Sequence, residues 1–223
     1  MGVTKTKESL YKRTYFDQIT KLQNHAKPSY EAFLNFNQEV FKESHLTTKL
    51  KELIAVAVAH VTGCAYCIDI HTKAAKKEGV TKGELSEAIF VATALKAGSA
   101  FAHGANAIRS YDDEAEDELY KGSYFSKVNQ LSASQPDTFQ AFITFTNQAL
   151  KEGALTVLEK EFIAVAVAHV TGCAYCIDIH TKAAKKEDAT KEQLTEVIFV
   201  ATALKAGSVF AHGVNAINAF EAD

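Results

Sequence analysis

Residues 50–71 read LKELIAVAVAHVTGCAYCIDIH, and the reading of this stretch decides the fold. Taken alone, LIAVAVAHV would suit a buried strand, because Ile54, Val56 and Val58 alternate with alanine. The flanks favour a helix: Thr47 or Thr48 can open it, Gly63 can close it, and alanine is the best helix former. At residues 159–180, EKEFIAVAVAHVTGCAYCIDIH repeats the pattern, and there Thr156 and Glu159 stand three apart as a capping box. Working outward, one helix is expected from about Cys64 to Gly79, another from Thr81 and Glu84 to Gly98, and a last one from about Ser99 to Tyr111. Upstream, Pro28 starts a helix carrying Tyr30, Phe33, Leu34, Val40 and Phe41. Leu10, Phe16, Ile19 and Leu22 form an earlier apolar stripe. The expectation is an all-α protein with about six helices per half.

The halves are an internal repeat. A shift of 109 residues aligns Tyr11 with Tyr120, Glu52 with Glu161, Cys64 with Cys173 and His103 with His212 without a gap. From 52 to 108 the two copies agree at 48 of 57 positions, whereas from 11 to 51 they agree at only 13 of 41. Function is therefore expected in the later segment of each copy. SYDDEAEDEL, residues 110–119 with six acidic side chains, marks a solvated connection, which gives repeats at 1–112 and 113–223. The two copies are expected to pack as a pseudo-symmetric pair.

Composition narrows the function classes. The chain of 223 residues has 47% apolar residues, 24 Lys and Arg against 27 Asp and Glu, and a net charge of -3, which suits a soluble globular protein. No basic patch suggests nucleic acid. With 2 Pro and 11 Gly there is little turn chemistry for a β-rich fold. No uninterrupted apolar run approaches the length of a membrane span, and MGVTKTKESL has no secretory apolar core. A cytoplasmic protein is expected.

All four cysteines fall in the two copies of GCAYCIDIH, at 63–71 and 172–180. Without a secretory signal, Cys-x-x-Cys reads as redox or metal-binding chemistry. Cys64 and Cys67 begin a helix, where free N–H groups and the dipole favour a thiolate. His71 follows Cys67 by one turn on the same face and can take the thiol proton. Glu52, three turns upstream on the apolar helix, needs a partner if buried, and His71 or a relay water is the natural one. Cys64, at the helix end, is expected to be the sulfur better placed to meet external thiols.

Glu52, Cys64, Cys67 and His71, repeated as Glu161, Cys173, Cys176 and His180, form E-x11-C-x2-C-x3-H. This resembles the AhpD alkylhydroperoxidase signature of the carboxymuconolactone decarboxylase family. The resemblance covers roughly residues 30–108 and 139–217. It implies an all-α fold with a dithiol that reduces hydroperoxides. By this resemblance Cys67 and Cys176 attack the peroxide, Cys64 and Cys173 resolve the sulfenic acid, and His71 with Glu52, and His180 with Glu161, relay protons. It implies no organic or metal cofactor, but an external dithiol reductant of the dihydrolipoamide type. It also implies a homo-oligomer, with a trimer as first guess and a dimer as second. Two features depart from the best-known AhpD proteins: both halves carry the full motif, and Tyr66 or Tyr175 precedes the second cysteine.

Alternatives stay open. Cys-x2-C followed by His is also metal-ligand spacing, with His60 or His103 as a further ligand. A lactone decarboxylase or another non-peroxidase enzyme could use the same scaffold. His60, His169, His103 and His212 form a second tier, for which hydrogen-bonded core or interface roles are favoured, although His103 and His212 could close the site from the last helix. Tyr66 and Tyr175 are read as packing residues pointing away from the neighbouring cysteine, and Asp69 and Asp178 as first-turn caps or solvent-facing.

Overall fold

The computed structural model describes residues 9–112 and 117–222, so the middle of the acidic connection, residues 113–116, lies outside the described residues. The regular structure of the described residues is all helical, with no strand among them. Helix α1 (Thr20–Val40) follows a 3-10 turn, Arg13–Ile19; then come α2 (Thr48–Thr62), α3 (Ala65–Lys77) and α4 (Lys82–Tyr111). After a second 3-10 turn, Gly122–Lys127, the series continues with α5 (Val128–Ser134), α6 (Pro136–Leu150), α7 (Val157–Thr171), α8 (Ala174–Lys186) and α9 (Lys191–Phe220). Thr47 caps α2 by accepting from the Leu50 N–H, and complete capping boxes open α4, α7 and α9. Pro28 sits just past a break at Ala26 (φ -142°, ψ 45°), and Pro136 opens α6 after the matching break at Gln135.

One expectation fails: no helix ends at Gly98. α4 and α9 each run unbroken for 30 residues. Gly98 and Gly207 sit inside these helices, where an added Cβ would meet Phe142 of α6 at 4.0 Å and Phe33 of α1 at 3.7 Å, ordinary contact distances. Leu10, assigned to the first apolar stripe, is 74% exposed. Among the described residues α4 and α9 are also long and apolar enough, by length and composition alone, to cross a membrane, which a search for uninterrupted runs passes over. Here both are core helices, α4 against α2, α6 and α7, and α9 against α1, α2 and α7.

The two repeats share one core. Leu53, Ile54 and Val58 of α2 pack with Phe162, Ile163 and Val167 of α7, flanked by Val91 and Leu95 of α4 and Val200 and Leu204 of α9. Two ion pairs between a buried lysine and a partly buried glutamate fasten it across the repeats. Lys51 Nζ, 2% exposed as a residue, lies 3.0 Å from Glu196 and donates to the Val40 and Lys42 carbonyls; Lys160 is likewise 3.0 Å from Glu87. Glu196 also accepts from the His45 and Leu46 N–H groups, and Glu87 from those of Ala154 and Leu155. Burial alone would raise both carboxyls, but the backbone donors and the lysines outweigh it and hold them below the ordinary glutamate value of 4.5. The unfolded chain therefore takes up these protons first, so the stabilisation is complete above that value and is lost as pH falls below it. Denaturant midpoints should be flat from neutral pH to about 5 and fall below 4.5, and replacing Glu87 and Glu196 together with Gln should make the acid decline shallower while lowering the neutral-pH midpoint. An equally steep decline in that variant would contradict the assignment.

Candidate active site

The site begins with a glycine. Gly63 closes α2 in the left-handed conformation (φ 69°), and Gly172 does the same for α7 (φ 72°), a geometry that costs other residues about 1 kcal/mol. The Gly63 and Cys64 N–H groups both return to the Ala59 carbonyl. This turn makes Cys64 the N-cap of α3, where its Sγ accepts from the Cys67 N–H at 3.1 Å; Cys173 receives the Cys176 N–H at 3.2 Å. Asp69 and Asp178 are not caps. Asp69 pairs with Arg13 and Lys73, whose hydrogen bonds hold its carboxyl well below the usual range, and Asp178 pairs with Lys182.

Cys64 and Cys67 are joined as a disulfide, as are Cys173 and Cys176, with Cα atoms 5.2 Å apart in both. That separation lets each pair open and close without backbone movement. Cys64 is fully buried (0%) whereas Cys67 is 5% exposed, and the second repeat has the same values. The expectation that Cys64 is the sulfur better placed to meet external thiols is not met: both sulfurs are buried, and Cys64 packs in one cluster with Ala59 of α2 and Ala211 of α9.

Glu52, 7% exposed, reaches His71 across the α2–α3 turn, with Oε2 2.8 Å from Nδ1; Glu161 and His180 repeat the distance. With Nδ1–H donated to the carboxyl, Nε2 is the atom left to take a proton. Cys67 lies one turn back on the same helix. Phe41 stacks on His71 with centroids 5.3 Å apart, while the matching residue in the second repeat is Leu150.

The surroundings of each dithiol come partly from the other repeat. Cys64, Tyr66 and Cys67 pack with Ile19 and with Ala211 and Val214 of α9; Cys173, Tyr175 and Cys176 pack with Val128 and with Ala102 and Ala105 of α4. Tyr66 and Tyr175 are packing residues, in the same buried clusters as the cysteines, with their rings against Tyr11 and Phe16 and against Tyr120 and Phe125. Sequence reasoning did not find this exchange, nor the aromatic wall of Tyr11, Phe16 and Tyr66. Its only signal was the apolar run around His103 and His212.

His60 and His169 are not brought to the dithiols. Their Nδ1 atoms bond the Val56 and Val165 carbonyls one turn back, and His60 lines a cavity of about 400 Å³ with Ile89, Thr93 and Lys96. Among the described residues no group of three or more His, Cys, Asp or Glu is arranged to hold a metal.

The family model for the carboxymuconolactone decarboxylase family matches residues 28–110 and again 136–219. The chain is 46% identical over 83 residues to "Uncharacterized protein 4 in cox locus" of Paracoccus denitrificans, spanning 37% of this chain and 75% of that one. It is 35% identical over 92 residues to an uncharacterized protein of Cupriavidus necator, spanning 41% and 81%. Among solved structures, a Burkholderia xenovorans LB400 protein provisionally named a gamma-carboxymuconolactone decarboxylase subunit superposes with a TM-score of 0.70 over 93% of this chain and 90% of its own, at 20% identity. At that identity the likeness establishes the fold.

Proposed function

Because the chain belongs to the carboxymuconolactone decarboxylase family, we propose that it is a thiol-dependent hydroperoxide reductase with one dithiol centre in each repeat. The observation that carries this reading is the pairing of a Cys-x-x-Cys at a helix N-terminus with a buried Glu–His couple one turn away, present twice with the same 2.8 Å contact.

His71 Nε2 takes the Cys67 proton, and the thiolate attacks the distal oxygen of ROOH. The O–O bond breaks, sulfur is oxidised to the sulfenic acid, and the departing alkoxide takes the proton from His71 to leave as ROH. Cys64 thiol then condenses with the sulfenic acid, releasing water and forming the disulfide. An external dithiol, of the dihydrolipoamide type, reduces that disulfide and becomes a disulfide itself. It attacks Cys67, the less buried of the two sulfurs, and Cys64 leaves as a thiolate held by the Cys67 N–H. The exposed Phe90, Phe199 and Val209 on α4 and α9 suit the surface of a homo-oligomer.

The family description and the name of the Burkholderia protein favour a second reading, lactone decarboxylation on the same scaffold. Two assays separate them: consumption of cumene hydroperoxide with dihydrolipoamide as reductant, and decarboxylation of gamma-carboxymuconolactone. The peroxidase reading expects the first and its loss without the cysteines. Lactone turnover that persists when all four cysteines are serine would establish the second.

A further inference from the structure

The exchange of helices leaves one equivalent polar atom unexplained in both copies. His212 lies on α9 between Ala211 and Val214, both packed with Cys64, Tyr66 and Cys67; His103 lies on α4 between Ala102 and Ala105, packed with Cys173, Tyr175 and Cys176. The His212 ring meets Tyr11 edge-on with centroids 6.2 Å apart, and Tyr11 lies 5.5 Å from Tyr66. In the second copy His103 meets Tyr120 at 6.4 Å, and Tyr120 lies 5.6 Å from Tyr175. Both histidine Nε2 atoms are buried without a hydrogen-bond partner. Of the neighbouring polar groups, Tyr175 donates to Asn106 at 3.2 Å, whereas Tyr66 Oη and Asn215 Oδ1 remain unpaired in the first copy. The histidine Nε2 is thus the atom left unsatisfied at both sites. Leaving a buried donor or acceptor unpaired is costly, so its recurrence in both copies, whether the equivalent tyrosine and asparagine are hydrogen-bonded or not, points to a group that takes a partner when the site is occupied.

We infer that each dithiol is served by a histidine of the opposite repeat, His212 for Cys64–Cys67 and His103 for Cys173–Cys176, whose Nε2 hydrogen-bonds an oxygen of the hydroperoxide. The substrate's carbon body then rests on the surrounding rings, Tyr11, Phe16, Tyr66 and Phe210 at the first site, which suits an organic hydroperoxide. The inference rests on the peroxidase reading above and adds that a repeat taken singly would lack part of its own site.

The test uses two full-length chains with one dithiol each, C173S/C176S and C64S/C67S, and follows reaction of the reduced thiols with cumene hydroperoxide. In the first chain His212→Ala should slow the reaction at least tenfold and His103→Ala less than threefold; in the second chain the order should reverse. His212→Gln, which keeps an N–H donor, should recover part of the rate in the first chain. Alkylation of the same thiols by iodoacetamide, which needs only the thiolate, should change less than threefold. A loss that follows the histidine of the same repeat, equal losses in both chains, or an alkylation rate that falls as far as the peroxide rate would overturn the inference. Failure of both unsubstituted one-dithiol chains to react with the hydroperoxide would overturn the peroxidase reading itself, and the inference with it.

Discussion

Replacing Cys67 and Cys176 together with serine should reduce hydroperoxide turnover by at least about a thousandfold, since losing the nucleophile of a covalent mechanism removes nearly all of its rate. Serine keeps the shape of the site and the Cys67 N–H to Cys64 contact, so the loss would be one of chemistry. Cys67→Ser alone should leave about half the turnover. The copies from 52 to 108 differ at only 9 of 57 positions, and Glu52–His71 and Glu161–His180 have the same 2.8 Å spacing. Cys64→Ser should act differently. It permits the first oxidation but removes the resolving thiol, so Cys67 should accumulate as sulfenic and then sulfinic acid under excess peroxide. Full turnover in the Cys67, Cys176 double variant would remove the dithiol from the mechanism.

The second large effect concerns the relay. His71→Ala with His180→Ala should lower the rate about 10²- to 10³-fold at pH 7, the usual contribution of a positioned base. The deficit should narrow above pH 9, because an unassisted thiol ionises near 8.5 and no longer needs help in losing its proton. Glu52→Gln with Glu161→Gln keeps a hydrogen-bond acceptor for Nδ1–H and should cost less, about tenfold. These variants also leave buried groups without their partners, at about 1–3 kcal/mol of stability per site for His71→Ala, so folding should be checked beside activity. A deficit that stays constant from pH 7 to 10 would assign the couple to architecture instead of proton transfer.

Local features of this protein were legible from residue order because they depend on neighbours a few positions apart. Thr156 with Glu159, Gly63 before Cys64, and Cys67 with His71 are all set by helical spacing, and the structure places them as that spacing requires. Glu52 and His71 could be paired because an apolar helix cannot bury a carboxyl alone. Long-range packing was not legible. Gly98 carries the same local signal whether it ends a helix or lies inside one, and here the helix, packed on α2, α6 and α7, runs on through it. Cys64 was misjudged for a related reason: its exposure depends on α9, more than 140 residues later in the chain, which covers the turn through Ala211. The exchange that packs Ala211 and Val214 of α9 with one dithiol, and Ala102 and Ala105 of α4 with the other, is likewise a long-range feature.

The central claim is that both Cys-x-x-Cys pairs are redox-active toward hydroperoxides. It is tested most directly by counting titratable thiols in reduced protein before and after a slight excess of cumene hydroperoxide, with peptide mapping of the products. The account predicts a fall from four thiols to none, with Cys64–Cys67 and Cys173–Cys176 disulfides that dihydrolipoamide reopens. Four thiols surviving for minutes in the presence of the peroxide would contradict it and move the weight to the decarboxylase reading on the same fold.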